Sequence, residues 1–230
     1  MIEQNLTPPP KWNKTLIFWG AALILNLVAI SLSKSMSVLP SILLGLGAVA
    51  ILGGLYGTTR LRSFLGPMKA KRKLMFLSLL ILSYAATIGM EKLLSVIGTG
   101  ASEHPAAAAA ANQSLPAFLF TLFLMLFSMV GEEVLSALFT FPVWSWLKEK
   151  GLNSSLAFFL AAVFSSLIFG LSHLSVYNFN WTQCLLTIGL TRLPFSYAWK
   201  KMDSIWGGIL IHFLFNALIL LLQFLPRVQH

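Results

Sequence analysis

The sequence predicts an all-α membrane protein, a polytopic bundle of about seven transmembrane helices with its N-terminus in the cytoplasm. Hydrophobic residues make up 57% of the 230 residues and charged residues only 10%, whereas a soluble domain carries roughly 25% charged residues. The apolar residues also form runs that reach the roughly 20 residues needed to cross about 30 Å of hydrocarbon. The chain has room for little else, so we expect residues 1–230 to form one membrane domain.

Short polar or glycine-containing segments separate the apolar runs. The predicted spans are approximately Thr15–Ser33, Val38–Gly57, Leu74–Ile97, Pro116–Trp146, Ser155–Val176, Trp181–Trp199 and Ile205–Leu225. Residues 1–14 are predicted to be a short tail at the membrane surface, and Lys34 with Ser35 a turn. The segment Gly98–Leu115 contains six consecutive alanines and is predicted to be a loop without chemistry.

The distribution of basic residues predicts the orientation. With the N-terminus inside and seven alternating spans, twelve Lys and Arg residues fall on the inner side and three on the outer side. Six of the twelve lie in the loop 58–73. Such an excess marks the cytoplasmic side of a membrane protein. It also accounts for the net charge of +9. We therefore expect the basic residues to face the lipid bilayer surface, and we expect no binding of nucleic acid.

Most charged residues lie in loops or near the ends of the predicted spans. An ionisable group deeper inside a span is costly and by default indicates function. The residues that we select on this ground are Glu132, Glu133, His173, Arg192, His212 and, as an amide, Asn216.

The spacing of these residues places them in pairs. Phe169 and His173 are four residues apart, as are His212 and Asn216, so each pair shares one face of a helix. Glu132 and its neighbour Glu133 point about 100° apart and are therefore expected to have different roles.

A helical hairpin that turns at Gly151 would bring a carboxylate and an imidazole to similar depth. Glu132 lies nineteen residues before this turn and His173 twenty-two after it. The difference of three residues corresponds to about 5 Å of helix rise. Pro142 can bend the first arm of the hairpin.

These residue types support a hydrolytic mechanism. A carboxylate in an apolar cavity suits a general base, so Glu132 with His173 would activate a water molecule. His212 and Asn216 would donate hydrogen bonds to the developing oxyanion. A zinc site made by Glu132, His173 and His212, with one position left for water, is an alternative.

At these residues the chain resembles the CAAX-protease and bacteriocin-processing (CPBP, or ABI) family of intramembrane proteases. The family pattern is EExxxR, then FxxxH, then HxxxN or HxxxD, on separate spans. Here the three segments are Glu132-Glu133-Val-Leu-Ser-Ala137, Phe169-Gly-Leu-Ser-His173 and His212-Phe-Leu-Phe-Asn216. The resemblance covers residues 116–220, and it implies catalytic roles for Glu132, Glu133, His173, His212 and Asn216.

One position departs from the family pattern, because Ala137 replaces the arginine of the first motif. The resemblance implies that this arginine neutralises the second glutamate. Arg192 is the one basic residue that lies inside a predicted span and away from its ends, and we hypothesise that it pairs with Glu133 instead.

The resemblance implies an endopeptidase that cleaves a membrane-associated peptide or a lipid-modified protein. In bacteria it implies peptide maturation or immunity to a bacteriocin, in the plasma membrane, and we favour this interpretation. Two alternatives stay open at this point. One is a proton- or cation-coupled transporter that uses the acidic pair, and the other is a non-catalytic immunity protein with a relict site. The use of zinc or of no cofactor is also left open.

Overall fold

The protein is a polytopic helical bundle, as the sequence predicts. The computed structural model describes residues 2–33, 38–68, 73–100, 102 and 105–228, and this part of the chain contains no strand. The helices are α1 (Trp12–Ser33), α2 (Leu39–Tyr56), α3 (Thr58–Phe64), α4 (Lys73–Val96), α5 (Pro105–Ala110), α6 (Leu115–Glu149), α7 (Ser154–Ser172), α8 (Leu193–Met202) and α9 (Trp206–Val228). The predicted turn at Lys34 and Ser35 and residues 69–72 of the predicted basic loop lie outside the described residues.

Six of the described helices are long and apolar enough to cross a membrane: α1, α2, α4, α6, α7 and α9. Their outward faces carry large apolar side chains, such as Ile17 of α1, which is 71% exposed, and Ile81 of α4, which is 58% exposed. In lipid such faces need no cover, because lipid tails are as apolar as leucine. The chain is therefore an integral membrane protein.

Helix α6 is the centre of the bundle and packs against α2, α7 and α9. Its 35 residues correspond to about 52 Å of helix rise. Pro142 lies inside this helix and has no N–H, so the carbonyl of Leu138 loses its donor within the helix. The indole Nε1–H of Trp19 on α1 donates to that carbonyl at 3.0 Å, and the helix continues to Glu149.

The structure differs from the prediction at the sixth span, Trp181–Trp199. Residues 181–202 are helical throughout, but they pass from a π-helix at Gln183–Gly189 through a 3-10 turn at Leu190–Arg192 to α8. Pro194 stands in the first turn of α8, where its missing N–H is tolerated. The apolar composition that predicted a single span does not report such changes of helical pitch.

The N-terminal segment also differs from the predicted surface tail. Residues Glu3–Leu6 form a 3-10 turn, and Ile2 and Leu6 are buried, with exposures of 1% and 0%. Two apolar side chains four residues apart give this segment one hydrophobic face, which packs into the core that contains α6.

Part of the predicted loop 98–115 is helical. Helix α5 covers five of the six consecutive alanines. Ala107 and Ala110 pack in a small cluster with Phe118 of α6 and Leu220 and Phe224 of α9. Ala107 and Ala110 therefore have a packing role, because their small side chains let α5 approach α9 closely.

Candidate active site

The two adjacent glutamates of α6 occupy different environments. The side chain of Glu133 is fully buried, whereas that of Glu132 is 19% exposed and lines a cavity. Successive side chains on a helix point about 100° apart, and this difference in direction separates the two carboxylates.

Glu133 accepts hydrogen bonds from three different side chains. Its Oε1 accepts from Nη2 of Arg192 at 2.7 Å, and its Oε2 accepts from Nε1 of Trp199 at 2.9 Å. Nδ1 of His212 lies 3.0 Å from Oε1. A buried carboxylate with this many donors is held in one orientation, and Glu133 does not line the cavity that Glu132 borders.

Arg192 reaches Glu133 from the irregular stretch that replaces the sixth predicted span. Its side chain is 1% exposed, and its guanidinium lies 4.6 Å from the centre of the Phe169 ring. Ala137, where the family pattern has arginine, is fully buried four residues after Glu133. The positive charge beside Glu133 is thus supplied by Arg192, which lies outside α6. The ring of Phe169 packs over the guanidinium.

His212 lies between the two carboxylates. Its Nδ1 faces Glu133, and its Nε2 lies 3.8 Å from Oε2 of Glu132. The ring of Phe195 stacks on the imidazole with centres 4.6 Å apart. Because a carboxylate can only accept, Nδ1 carries the proton.

His173 is the residue that caps the C-terminus of α7. Its Nδ1 lies 2.8 Å from the carbonyl oxygen of Phe169 and 3.2 Å from Oγ of Ser172. A carbonyl only accepts, so Nδ1 carries the proton in the neutral ring, and Nε2 is then the acceptor nitrogen. The spacing of FxxxH thus fixes both the orientation and the tautomer of the histidine.

Asn216 lines the same cavity, but its amide is directed elsewhere. Nδ2 of Asn216 donates to the sulfur of Met129 at 3.2 Å. A thioether is a weak acceptor, so this amide can turn towards a stronger one.

Two cavities meet at the site. The larger one, of about 580 Å³, is bordered by Glu132, His173, Arg192, His212 and Asn216. The second, of about 440 Å³, lies between α1, α2, α6 and α7, and shares Glu132, Phe169 and His173 with the first. Together they give Glu132 and His173 access to space on two sides of α6.

The zinc alternative concerns the arrangement of Glu132, His173 and His212. Within the part of the chain that the structure describes, no three His, Cys, Asp or Glu side chains are grouped so as to hold a metal ion. Nδ1 of His173 and Nδ1 of His212 are each directed to an oxygen acceptor. Zinc-binding histidines usually ligate through one ring nitrogen while the other donates to an oxygen, so these contacts leave Nε2 of both rings available and the zinc site stays an alternative prediction.

Three residues of the site were missed by sequence reasoning. Trp199 donates to Glu133, and Phe195 stacks on His212. At Gly208 of α9, a Cβ atom would lie 2.6 Å from Oε2 of Glu133 and closer still to Nε1 of Trp199. No pattern in the sequence marks these positions, because each contact joins two different helices.

Comparison with known protein families gives a match in the second half of the chain. Residues 114–218, slightly less than half of the chain, match the family model described as type II CAAX prenyl endopeptidase Rce1-like, and this segment contains Glu132, Glu133, His173, Arg192, His212 and Asn216. No curated protein and no solved structure matches the chain. This integral membrane protein is therefore similar, over residues 114–218, to the Rce1-like family of CAAX-type intramembrane proteases.

Proposed function

We propose that this protein is an intramembrane endopeptidase that hydrolyses a peptide bond in a membrane-associated peptide or protein. One observation carries the proposal. Glu132 borders a cavity together with His173, His212 and Asn216, while the adjacent Glu133 is buried and paired. One carboxylate thus faces the cavity with two imidazoles and an amide, which are the groups that water-mediated acyl transfer needs.

In the first step Glu132 and His173 activate a water molecule in the cavity. The water oxygen forms a bond to the carbonyl carbon of the substrate, and its proton passes to the carboxylate of Glu132. Nε2 of His173, the acceptor nitrogen of the neutral ring, holds the second hydrogen of the water. The carbonyl π-electrons move to oxygen and produce a tetrahedral oxyanion.

His212 and Asn216 stabilise this oxyanion. Glu133 accepts from Nδ1 of His212 and so orients the ring, and in this step the ring acts as an imidazolium whose Nε2–H donates to the oxyanion. The amide of Asn216 leaves the weak sulfur acceptor of Met129 and supplies a second donor. Removal of one oxyanion-stabilising donor from a serine protease lowers kcat by about 10²–10³-fold.

In the last step the tetrahedral intermediate breaks down. The bond between the carbonyl carbon and the amide nitrogen breaks as the carbonyl re-forms, and Glu132 returns its proton to the leaving nitrogen. The products are a new carboxyl terminus and a new amino terminus, and Glu132 is again a carboxylate. Arg192 and Trp199 contact no substrate atom in this scheme; through Glu133 they position His212.

The substrate is proposed to be an amphipathic or lipid-modified peptide that enters from the bilayer. The smaller cavity supports this route, because it lies among α1, α2, α6 and α7 with mainly apolar residues along its wall. For the biological role we propose bacterial peptide maturation or bacteriocin immunity in the plasma membrane, which rests on the resemblance of the three motifs.

The test is peptide cleavage by the purified full-length protein in proteoliposomes. We expect Glu132→Gln and His173→Ala each to lower the cleavage rate by 10²-fold or more, because they remove the acceptors for the protons of the water. Glu149→Gln is the matched control, since Glu149 ends α6 far from the cavity and its substitution should leave the rate unchanged.

Several results would contradict this proposal. Full cleavage by a folded Glu132→Gln protein would exclude the assigned base, and ion flux without cleavage would favour a transporter. Biological immunity that survives in Glu132→Gln would favour a non-catalytic protein. Cleavage that is abolished by a chelator and restored by Zn²⁺ would overturn the metal-free mechanism.

A further inference from the structure

The larger cavity extends well beyond the proposed catalytic groups. On α9 its wall runs from His212 through Asn216 to Gln223, eleven residues that correspond to about 16 Å of helix rise. On α4 it is formed by Thr87 and Glu91, which are four residues apart and share one helical face. An extended peptide of about five residues would fill this length.

Glu91 is an acidic group in this extension of the cavity. The other charged or titratable residues in the wall are Glu132, Arg192, Tyr177 and the two histidines. Among the described residues, Glu91 has neither an ion pair nor a hydrogen bond to another side chain. It lies five residues before the end of α4 and is exposed, so its carboxylate is accessible to a ligand in the cavity.

The charge balance of the cavity is negative. The guanidinium of Arg192 lies 2.7 Å from Glu133. The carboxylate of Glu133, which does not border the cavity, therefore compensates the positive charge of Arg192. Nε2 of His212 lies 3.8 Å from Glu132, and in the proposed mechanism its imidazolium offsets that charge, so the carboxylate of Glu91 remains without a counter-charge. Uncompensated negative charge in a cavity wall attracts cationic groups.

The phenol of Tyr177 lies in the same cavity wall as Glu91 and Glu132. It lies in the turn after α7 and borders the same cavity. Burial raises the pKa of the Tyr177 phenol, and the charges of Cys184, Glu132 and Glu91 raise it further. Glu91 and Glu132 therefore both lie within electrostatic range of one phenol, close enough for a single short peptide to meet both.

From this arrangement we infer that Glu91 is a specificity-determining residue that binds a basic side chain of the substrate near the cleaved bond. The inference rests on the proposed peptidase function and adds a substrate class to it: peptides with Lys or Arg within a few residues of the cleavage point. The carboxylate of Glu91 supplies the counter-charge, and the partner it lacks in the protein comes from the substrate.

The test uses matched peptides that differ at one position, where Lys, its neutral isostere norleucine, or Glu is placed in turn on either side of the cleaved bond. Wild-type protein in proteoliposomes is expected to show a kcat/KM about fivefold higher for the best Lys peptide than for its norleucine counterpart, the scale of one partly exposed ion pair. Glu91→Gln should abolish this preference, and Glu91→Lys should transfer it to the Glu peptide. Glu149→Gln should keep the wild-type preference.

Persistence of the Lys preference in Glu91→Gln would overturn the inference while leaving the peptidase function intact. Equilibrium binding of the same fluorescent peptides gives a second test that needs no cleavage. If wild-type protein cleaves no peptide, the peptidase proposal fails, yet tighter binding of the Lys peptide that is lost in Glu91→Gln still supports the cation subsite. Equal binding of the Lys and norleucine peptides by wild-type protein would exclude it.

Discussion

At the scale of single residues, the neighbours Glu132 and Glu133 differ in what their carboxylates touch. Glu133 accepts from Arg192, Trp199 and His212, whereas Glu132 borders open space. A buried ion pair is weak evidence for stability by itself, but removal of one partner leaves an uncompensated charge. Arg192 therefore makes it possible for Glu133 to hold His212 in place.

A double-mutant cycle tests this dependence. We expect Glu133→Gln and Arg192→Met each to lower the free energy of unfolding by about 3–5 kcal/mol, because each leaves one buried charge without its partner. The double variant should lose clearly less than the sum of the two, since no unpaired charge remains. Unfolding by SDS in mixed micelles measures all three.

Lys150→Met is the control for this cycle, because Lys150 lies exposed in the turn between α6 and α7. Additive losses in the double variant would mean that Glu133 and Arg192 act independently, and the ion pair would then contribute no coupling.

At the scale of elements, the site depends on how closely α8 and α9 approach α6. Trp199 of α8 reaches Glu133 across a position that Gly208 of α9 leaves empty. The irregular stretch 183–192 is packed as tightly, since a Cβ atom on Gly170 of α7 would collide with the carbonyl oxygen of Cys184. Small residues at such crossings are typical of membrane helix bundles.

Substitution of Gly208 tests the importance of this approach. In Gly208→Ala the new methyl group must displace the indole of Trp199, so we expect a loss of about 1–3 kcal/mol of stability and slower peptide cleavage. Gly20→Ala in α1 is the matched control, because a Cβ atom there meets nothing within 4 Å and alanine is the better helix former. Equal stability and cleavage in the two variants would show that Trp199 needs no such space.

At the scale of the whole molecule, the N-terminal segment joins elements that are distant in sequence. The backbone N–H of Ile2 donates to Oδ1 of Asp203 at 2.8 Å, and Oγ of Ser145 donates to the carbonyl of Leu6 at 3.0 Å. Asp203 lies between α8 and α9, and Ser145 lies near the end of α6. The segment thus holds together the ends of the three helices that carry Glu133 and its partners.

The ion pair between Glu3 and Lys148, at 2.7 Å, adds to this connection at neutral pH. Burial raises the pKa of Glu3, but the hydrogen bond and charge of Lys148 more than offset it, so the pKa lies below its usual value of 4.5. A carboxyl group whose pKa is lowered on folding stabilises the protein at pH values above its usual pKa. This stabilisation is lost as the pH falls through the lowered pKa. The pair is therefore intact throughout the neutral range.

Truncation of Leu6 tests whether the segment is part of the core. We expect Leu6→Ala to lower the free energy of unfolding by about 2–4 kcal/mol, as for a buried leucine elsewhere, because its side chain is fully buried. Leu16→Ala is the control, since Leu16 of α1 is 59% exposed and faces lipid or detergent. Equal losses in the two variants would mean that the segment is a loose surface tail.

The sequence by itself determined the membrane class, the helical bundle and the residues of the three motifs. The length of the apolar runs predicts the membrane class and the helical bundle. The 3.6-residue period of the helix predicts which motif residues share a face. The difference between Glu132 and Glu133 also follows from this period, and the idea that Arg192 pairs with Glu133 followed from two unpaired charges in lipid.

Only the tertiary structure decided the rest, because it depends on distances between helices. The change of pitch in residues 183–192, the contacts of Trp199 and Gly208 with Glu133, and the burial of Ile2 and Leu6 each join segments that lie far apart in sequence. The direction of the Asn216 amide towards Met129 and the place of Glu91 in the cavity wall are of the same kind. Local patterns fix which side chains share a helical face, and packing fixes what that face meets.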